Sequence, residues 1–520
     1  MEGIGKTARI FIAITTISAA IMELIDTSIV NVALNQMAGN LGASIEDIAW
    51  VITSYAIANV IIIPMTGFLA NYFGRKQYYL ASIALFTVAS ILCGTSTSLW
   101  EIVLWRFIQG LGGGALLSTS QAILFESFPG KQRGMAAALF GMGVVLGPTL
   151  GPTVGGIIID SYAWPLIFYI NVPFGIIATV LTLRFIPESE APKKKPHIDW
   201  SGIFLLTIGI ASLQYVLERG EAEDWYDSRL IIGLTLVAAV GLITFIWWEL
   251  KQKEPVVNLH IMNDRNMAIT TFLTFIVGFI LFTSVFIFPL MLQRALGYTA
   301  YETGLTLLPA SILSLILMPL IGKMLQNGSK PQIFVSIGFI TLMGFGILMS
   351  RADLNVGSSF FALPLMIRGA ALACLFVPLN AMAVSGLQPK DIPQGIALNN
   401  MVRQLGGSFG IAIINNYLAH RVASHRIDLI SNVYAGGDQF TERYNQIYHG
   451  LQSKLPIAAN LQQQTYQIMD LTILKQTLML SYLDAFLYAT AFILFAFPFI
   501  LLTRNMRINS KKALMAAEEV

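Results

Sequence analysis

An all-α protein embedded in a lipid bilayer is what the sequence predicts, and three observations carry that prediction. Of its 520 residues 55% are hydrophobic and only 12% charged, with mean hydropathy +0.68, whereas a soluble globular chain carries about 25% charged residues. Apolar windows of about 20 residues, the length that crosses the hydrocarbon core as a helix, recur along the chain with polar or Gly/Pro-rich breaks between them. The basic residues gather in alternate breaks. A formal net charge of +3 is too small to argue for a nucleic-acid partner. Cys93 and Cys374 both fall inside apolar runs, which speaks against a disulfide framework or a thiolate metal site.

Fourteen windows read as spans. Six fall near residues 10–34, 48–70, 79–97, 100–124, 134–158 and 165–186, and two more near 201–218 and 230–249. The last six lie near 268–292, 302–325, 332–350, 358–384, 397–419 and 480–503. The opening window is too long for the apolar core of a secretory leader and no small-residue cleavage site precedes Leu34, so it is expected to stay as the first span. With the N-terminus inside, one set of loops holds Lys6, Arg9, Arg75, Lys76, Lys131, Arg133, Arg184, Lys193, Lys194, Lys195, Lys251, Lys253, Arg265, Lys323, Lys330, Lys390, Arg504, Arg507, Lys511 and Lys512. The opposite short loops hold only Arg219, Arg229, Arg294 and Arg351. This bias predicts that both termini are cytoplasmic.

The expected organisation is an N-terminal six-helix bundle over 1–186, a Pro/Lys-rich cytoplasmic linker at 187–200, and two extra spans with their following loop over 201–267. A C-terminal six-helix bundle over 268–503 and a cytoplasmic tail at 504–520 complete it. Within the second bundle, about 420–479 reads as a long external segment rich in Gln, Asn and Tyr, helical in stretches such as Phe440 to Leu455 but with no apolar run able to span. A solvated insertion without a role and a docking surface both fit it. An internal repeat supports the 6 + 2 + 6 division. Gly67-Phe68-Leu69-Ala70 is weakly echoed by Gly322-Lys323-Met324-Leu325, and Leu104 to Leu117 more clearly by Leu363 to Leu375, with Gln109-Gly110 opposite Arg368-Gly369. Both offsets are about 255–260 residues, as a duplicated transporter bundle would give.

Ionisable side chains inside a bilayer cost about 2.5–3.5 kcal/mol each on insertion scales, so their presence points to function. Glu23 and Asp26 lie i, i+3 on the first span and share one helix face. Asp26 is eight residues and Arg106 six residues from the outer ends of their spans, depths of about 12 and 9 Å by helix rise, so the two can meet. A nearby cation favours the ionised carboxylate and burial the protonated one, which poises Asp26 as a proton site. Glu23 is then a second acid or a contact for a cationic substrate. A fixed ion pair that merely fastens spans 1 and 4 is the competing reading. Asn31, Gln109, Asn171, Asn399, Asn400 and Arg368 are further polar groups at membrane depth that need partners, either across helices or on a substrate. Arg403 opens span 13 and has Asp391 or the interface within reach. In span 5, Gly143, Gly147, Gly151 and Gly155 recur every four residues and allow close helix approach, while Pro148 and Pro152 loosen that helix.

These motifs resemble the major facilitator superfamily. Gly67-Phe68-Leu69-Ala70-Asn71-Tyr72-Phe73-Gly74-Arg75-Lys76 is similar to its signature loop between spans 2 and 3, apart from Asn71 where an acid is usual and Tyr72 where a base is usual. Arg106 through Gly114 resembles the pattern of span 4, and Gly143 through Gly156, including Pro148, Pro152 and Gly156, the antiporter motif of proton-driven drug exporters. Leu24 through Ala33, Trp164 through Gly175, and Leu217 through Gly220 with Asp224-Trp225 resemble the fourteen-span drug:H⁺ antiporters of the EmrB/QacA type. The resemblance implies a bacterial inner-membrane transporter that exports lipophilic or cationic drug-like compounds in exchange for protons by alternating access. It implies a proton-coupling role for Asp26, Glu23 and Arg106, a hinge and seal in span 5, and a cytoplasmic gate at Gly67, Gly74, Arg75 and Lys76. It extends to a tripartite assembly with a periplasmic adaptor and an outer-membrane channel, for which the external segment is one place of contact.

No G-x-x-x-x-G-K-[ST] loop is present, so ATP is not the evident energy source. The five histidines, His197, His260, His420, His425 and His449, fall outside the spans or at their ends, which leaves neither an H-E-x-x-H zinc site nor a mid-membrane His relay. No G-x-S-x-G element suggests a hydrolase. The expectation is therefore a transporter without cofactor or metal. A dedicated exporter of one metabolite, lipid or siderophore is the alternative, and a membrane-embedded enzyme or sensor a more distant one.

Overall fold

The computed structural model describes residues 6–128, 132–188, 197–431, 433, 437–454 and 460–502. Lys131, the run Lys193 to Lys195, most of the 187–200 linker and the 504–520 tail lie outside the described residues. Among those described, the regular elements are all helical. In order they are α1 (Lys6–Leu41), α2 (Ile45–Ile48), α3 (Trp50–Phe73), α4 (Arg75–Thr95), α5 (Leu99–Ser127), α6 (Arg133–Ser161), α7 (Leu166–Tyr169), α8 (Asn171–Phe185) and α9 (Trp200–Arg219). There follow α10 (Arg229–Glu249), α11 (Arg265–Leu290), α12 (Ala300–Gln326), α13 (Pro331–Met349), α14 (Ser358–Ala383), α15 (Ile392–Ser431), α16 (Asp438–Lys454), α17 (Leu461–Ala491) and α18 (Phe497–Leu502). Helix is the expected outcome in lipid, because each segment must pair its own backbone N–H and C=O groups.

Among the described residues, twelve helices are long and apolar enough to cross a membrane. Of the fourteen predicted spans, those on α5 and α15 are absent from the twelve. Both helices are long, at 29 and 40 residues, but α5 carries Arg106, Gln109 and Gln121, and α15 carries Asn399, Asn400 and Arg403. Their polar side chains are buried among other helices, α5 against α1, α3 and α4, and α15 against α3, α11 and α17.

Packing partners repeat along the chain. α1 packs on α5, α6 and α8, α3 on α5, and α4 on α5 and α8; later, α11 packs on α14, α15 and α17, α12 on α14, and α13 on α14 and α17. α9 and α10 pair with each other and touch the rest mainly through α9 on α3. The two sets meet where α6 packs on α12 and α3 on α15. One apolar cluster, which includes Ala20, Phe125, Phe140, Met318, Phe376 and Ile396, draws on both sets, and it lies toward the end of the molecule that carries Arg75, Arg133 and Lys323. Toward the other end the two sets build separate cores. The halves thus share an apolar core at the basic end, while α6 and α12 stay in contact up to the opposite end, where Gly304 meets Thr153 and Gly156 meets Tyr301.

The structure departs from the sequence reading in the external segment. α15 continues to Ser431 and α17 begins at Leu461, so both helices run far beyond the apolar stretches that define spans 13 and 14. Side-chain pairs hold the extensions together where hydropathy fails: Arg421 and His425 both contact Asp484, and Arg426 Nη2 donates to Asp470 Oδ1 at 2.8 Å. The hydrogen bond to Asp484 holds the Arg421 guanidinium above its ordinary pKa. α16 lies against α17, with Phe440, Tyr444 and Tyr448 stacked along it and Tyr444 on Tyr466. The turn between spans 2 and 3 is also tighter than expected: Gly74 alone separates α3 from α4, at φ 86°, a conformation that glycine adopts without a steric penalty.

Candidate functional site: a carboxylate cage at the junction of α1, α3, α5 and α8

Asp26 and Arg106 meet. The side chains are 0% and 1% exposed, and Arg106 Nη1 donates to Asp26 Oδ2 at 2.5 Å. Asp26 Oδ1 accepts from Gln109 Nε2 at 3.0 Å and from Asn171 Nδ2 at 2.7 Å. Helix register explains the grouping on α5: Arg106 and Gln109 are i, i+3 and share a face, and Arg106 Nη1 also donates to Gln109 Oε1 at 2.8 Å. Asn171, at the start of α8, reaches Ser90 Oγ of α4 at 3.0 Å, and Ser90 donates in turn to the Phe168 carbonyl at 2.9 Å. The guanidinium is further held by Nε donating to the Val51 carbonyl at 3.2 Å and by the Tyr55 ring, 4.1 Å from Cζ. Each charge is therefore met by an opposite charge and by neutral hydrogen-bonding groups, the condition under which a buried ion pair is tolerated.

Glu23 lies one turn away on α1 and 2% exposed. Its Oε1 accepts from Tyr55 Oη at 3.2 Å and Asn59 Nδ2 at 3.1 Å, whereas Oε2 has no hydrogen-bond partner among the described residues. Tyr55 thus touches both acidic sites, by its ring at Arg106 and by its hydroxyl at Glu23.

A second polar cluster joins the two sets of helices. Gln121 of α5 donates to Asn380 Oδ1 of α14 at 2.9 Å, and Asn400 of α15 donates to Gln121 Oε1 at 2.9 Å and Ser118 Oγ at 3.2 Å. Asn399 Nδ2 reaches Asn380 Oδ1 at 3.4 Å. Arg403 donates from Nη2 to Asn400 Oδ1 at 2.7 Å and lies 4.9 Å from the Phe376 ring. At 5% exposed it neither pairs with Asp391 nor reaches an interface, which corrects both options read from the sequence. Arg368 is buried as well, with Ser284 Oγ at 3.5 Å and the Phe345 ring at 5.9 Å as its contacts. Asn31 stays apart from these clusters: it is exposed and donates to the Thr27 carbonyl at 3.4 Å on its own helix.

The glycines of α6 face α1. A Cβ at Gly143 would meet Ile17 and Ile21; at Gly147, Leu24; at Gly151, Ser28; at Gly155, Ile29 and Val32. Gly156 turns the other way, toward the Tyr301 backbone of α12. α6 remains one continuous helix through Pro148 and Pro152. At the basic end, Arg75 is ion-paired with Glu126 of α5, Lys76 donates to the Leu183 carbonyl at 3.0 Å, and Gly67 is pressed against Gln394 of α15.

Sequence reasoning missed Tyr55, Asn59, Ser90, Ser118, Gln121, Asn380 and Glu126. Asn59, Gln121 and Asn380 carry the same signal that singled out Asn171, an amide within an apolar run. Tyr55 and Ser90 carry none, because both residue types are ordinary in spans.

Residues 16–411 match the family model described as Major Facilitator Superfamily. The multidrug export protein EmrB of Escherichia coli (strain K12) is 36% identical, over 82% of this chain and 84% of its own length. The fatty acid resistance protein FarB of Neisseria gonorrhoeae is 33% identical over 94% of each chain. Among solved structures, the human organic anion transporter MFSD10 (TETRAN) superposes with a TM-score of 0.55 at 12% identity, covering 93% of this chain and 99% of its own, a likeness of fold. Together with the apolar helices, these relatives make the chain a multi-pass protein of the bacterial inner membrane. The chain belongs to the Major Facilitator Superfamily, with exporters of the EmrB type among its relatives.

Proposed function

We propose that the chain is a fourteen-span, proton-coupled multidrug exporter that moves lipophilic or cationic compounds outward by alternating access. The basic end is cytoplasmic in this reading, along with both termini, and residues 1–186 and 268–503 are the two bundles that rock about the site, with 201–267 as an insert. The observation that carries it is the Asp26 cage: a carboxylate buried in an apolar protein and paired with Arg106, where a change of protonation switches an ion pair on or off. The shared core at the basic end corresponds to a state closed toward the cytoplasm. The α6 glycines serve as the hinge along which α1, carrying both acids, slides, and the Gly74 turn with Arg75–Glu126 as part of the inner gate. A multidrug-export relative, a probable multidrug-resistance relative and a fatty-acid-resistance relative support drug-like cargo. An adaptor protein and an outer-membrane channel complete the assembly in this proposal, with the α15–α17 extension as the contact.

A second reading is favoured by how fully Asp26 is satisfied: the pair fastens α1 to α5 and carries no proton. Substrate-driven dissipation of ΔpH in reconstituted vesicles, native chain against Asp26→Asn, separates the two. Abolished dissipation in a monodisperse variant supports the proton site. Dissipation at the native rate refutes it, and a variant that fails to fold supports the fastener.

A further inference from the structure

Two opposite charges at the junction of the bundles leave polar atoms unspent, and they do not spend them on each other. Glu23 belongs to α1 and Arg403 to α15, one from each set of six helices. Both are more than nine-tenths buried, at 2% and 5% exposed. Glu23 Oε2 and Arg403 Nη1 each lack a hydrogen-bond partner among the described residues. No ion pair links them among the described residues. Unpaired charge is expensive in such surroundings, so atoms held this way point to a group that arrives from outside.

Each charge sits in its own fixed cradle. Tyr55 and Asn59 of α3 hold Glu23 by Oε1, and Gly113 of α5 makes room, since a Cβ there would lie 3.2 Å from Glu23 Cγ and against the Tyr55 hydroxyl. Asn400 holds Arg403 by one edge and is itself anchored on Ser118 and Gln121 of α5. α5 is therefore the common wall, with Gly113 at the level of Glu23 and Ser118 at the level of Asn400. Those five residues correspond to about 7.5 Å by helix rise. Between and around the poles stand aromatic faces: Tyr55 beside Glu23, Phe376 beside Arg403, and Phe140 6.5 Å from Phe376.

We propose that Glu23 and Arg403 are the two poles of the substrate site, Glu23 taking a basic amine and Arg403 an acidic group, so that amphoteric lipophilic compounds are the ligands that satisfy both. This rests on the exporter reading but not on its proton coupling. It narrows the cargo from cationic compounds in general to those that bear both charges on an aromatic or aliphatic body. A cation alone would leave Arg403 unmet and an anion alone would leave Glu23 unmet.

The test is equilibrium binding to the full chain in detergent, without a proton gradient. Three probes are compared: ciprofloxacin as a zwitterion, tetraphenylphosphonium as a permanent cation, and decanoate as an anion. The native chain is expected to bind ciprofloxacin at least tenfold tighter than either singly charged probe. Arg403→Gln should weaken ciprofloxacin tenfold or more and abolish decanoate while leaving tetraphenylphosphonium unchanged; Arg403→Lys should recover part of the loss. Glu23→Gln should do the reverse, sparing decanoate. Native ciprofloxacin binding no tighter than that of the single charges, or equal losses for all three probes in either variant, would overturn the proposal. Unfolding of Arg403→Gln with full native-like binding in Arg403→Lys and no charge preference in either it or the native chain would do so too. Failure of the exporter reading would appear elsewhere, as native vesicles that carry none of the three probes across the membrane.

Discussion

The first and second sets of six helices share a packing plan and treat buried charge in opposite ways. Gly110 of α5 and Gly369 of α14 stand 259 positions apart and do the same work. A Cβ at Gly110 would lie 2.6 Å from the Tyr55 carbonyl of α3, and one at Gly369 would run into the Ala310 carbonyl of α12. The glycines of α6 against α1 have their counterparts in Gly406, Gly407 and Gly410 of α15 against α11. One residue before each of the first glycine pair, the chemistry parts. Gln109 donates to Asp26 within a closed ionic cage, whereas Arg368 has the Ser284 hydroxyl at 3.5 Å as its hydrogen-bond partner among the described residues, and Ser284 lies 258 positions after Asp26. The helix contacts of the repeat are kept because close approach depends on small residues alone. Side-chain chemistry is free to diverge where no helix contact depends on it. At these positions the first half holds an acid and a base together, while the second holds Arg368 with no acid beside it among the described residues.

The largest expected effect breaks the cage. Arg106→Gln leaves Asp26 buried with neutral donors alone and should lower stability by about 3–5 kcal/mol, read as a fall in the thermal unfolding midpoint of the detergent-solubilised protein. A midpoint at the native value would mean that Gln109 and Asn171 suffice and that the two halves differ less than their contacts suggest. Next, Gly110→Ala and Gly369→Ala should each cost about 1–3 kcal/mol through overpacking. Similar losses sharpen the comparison, and a loss in only one half removes the shared plan. The smallest effect concerns the lone base. Arg368→Gln should change stability by no more than about 1 kcal/mol in either direction, since no ion pair is broken. Ser284→Asp should add about 1 kcal/mol by supplying a charge-assisted partner. A double-mutant cycle checks this: the gain must vanish when Arg368 is already Gln.

Part of this site is legible in the residues. Asp26 and Arg106 stand out because each is a charge within an apolar run, and counting helix rise from the span ends brings them to similar depth. Gly143, Gly147, Gly151 and Gly155 announce a close helix contact through their spacing, although the spacing does not say that α1 is the neighbour. Asn31 and Asn171 look alike as sequence, and yet Asn171 closes the cage while Asn31 returns to its own helix. Arg75 reads as one of many basic anchors, and its ion pair with Glu126 appears only when α4 and α5 are laid side by side. The helical ends at Ser431 and Leu461 escape a hydropathy reading because ion pairs and aromatic stacking, not apolar burial, sustain those turns.

What the sequence by itself determined is the solvent, the helical class, the approximate spans and the acids and bases stranded within them. These follow from local quantities: apolar run length, the need of each segment to pair its own backbone, and the scarcity of charge. Only the tertiary structure decided which groups meet. Asp26 draws on partners 80, 83 and 145 residues away, and Gln121 on partners 259 and 279 residues away in the other half of the chain. Such meetings depend on how helices rotate and pack against their neighbours, to which a hydropathy pattern with apolar residues on every face is blind.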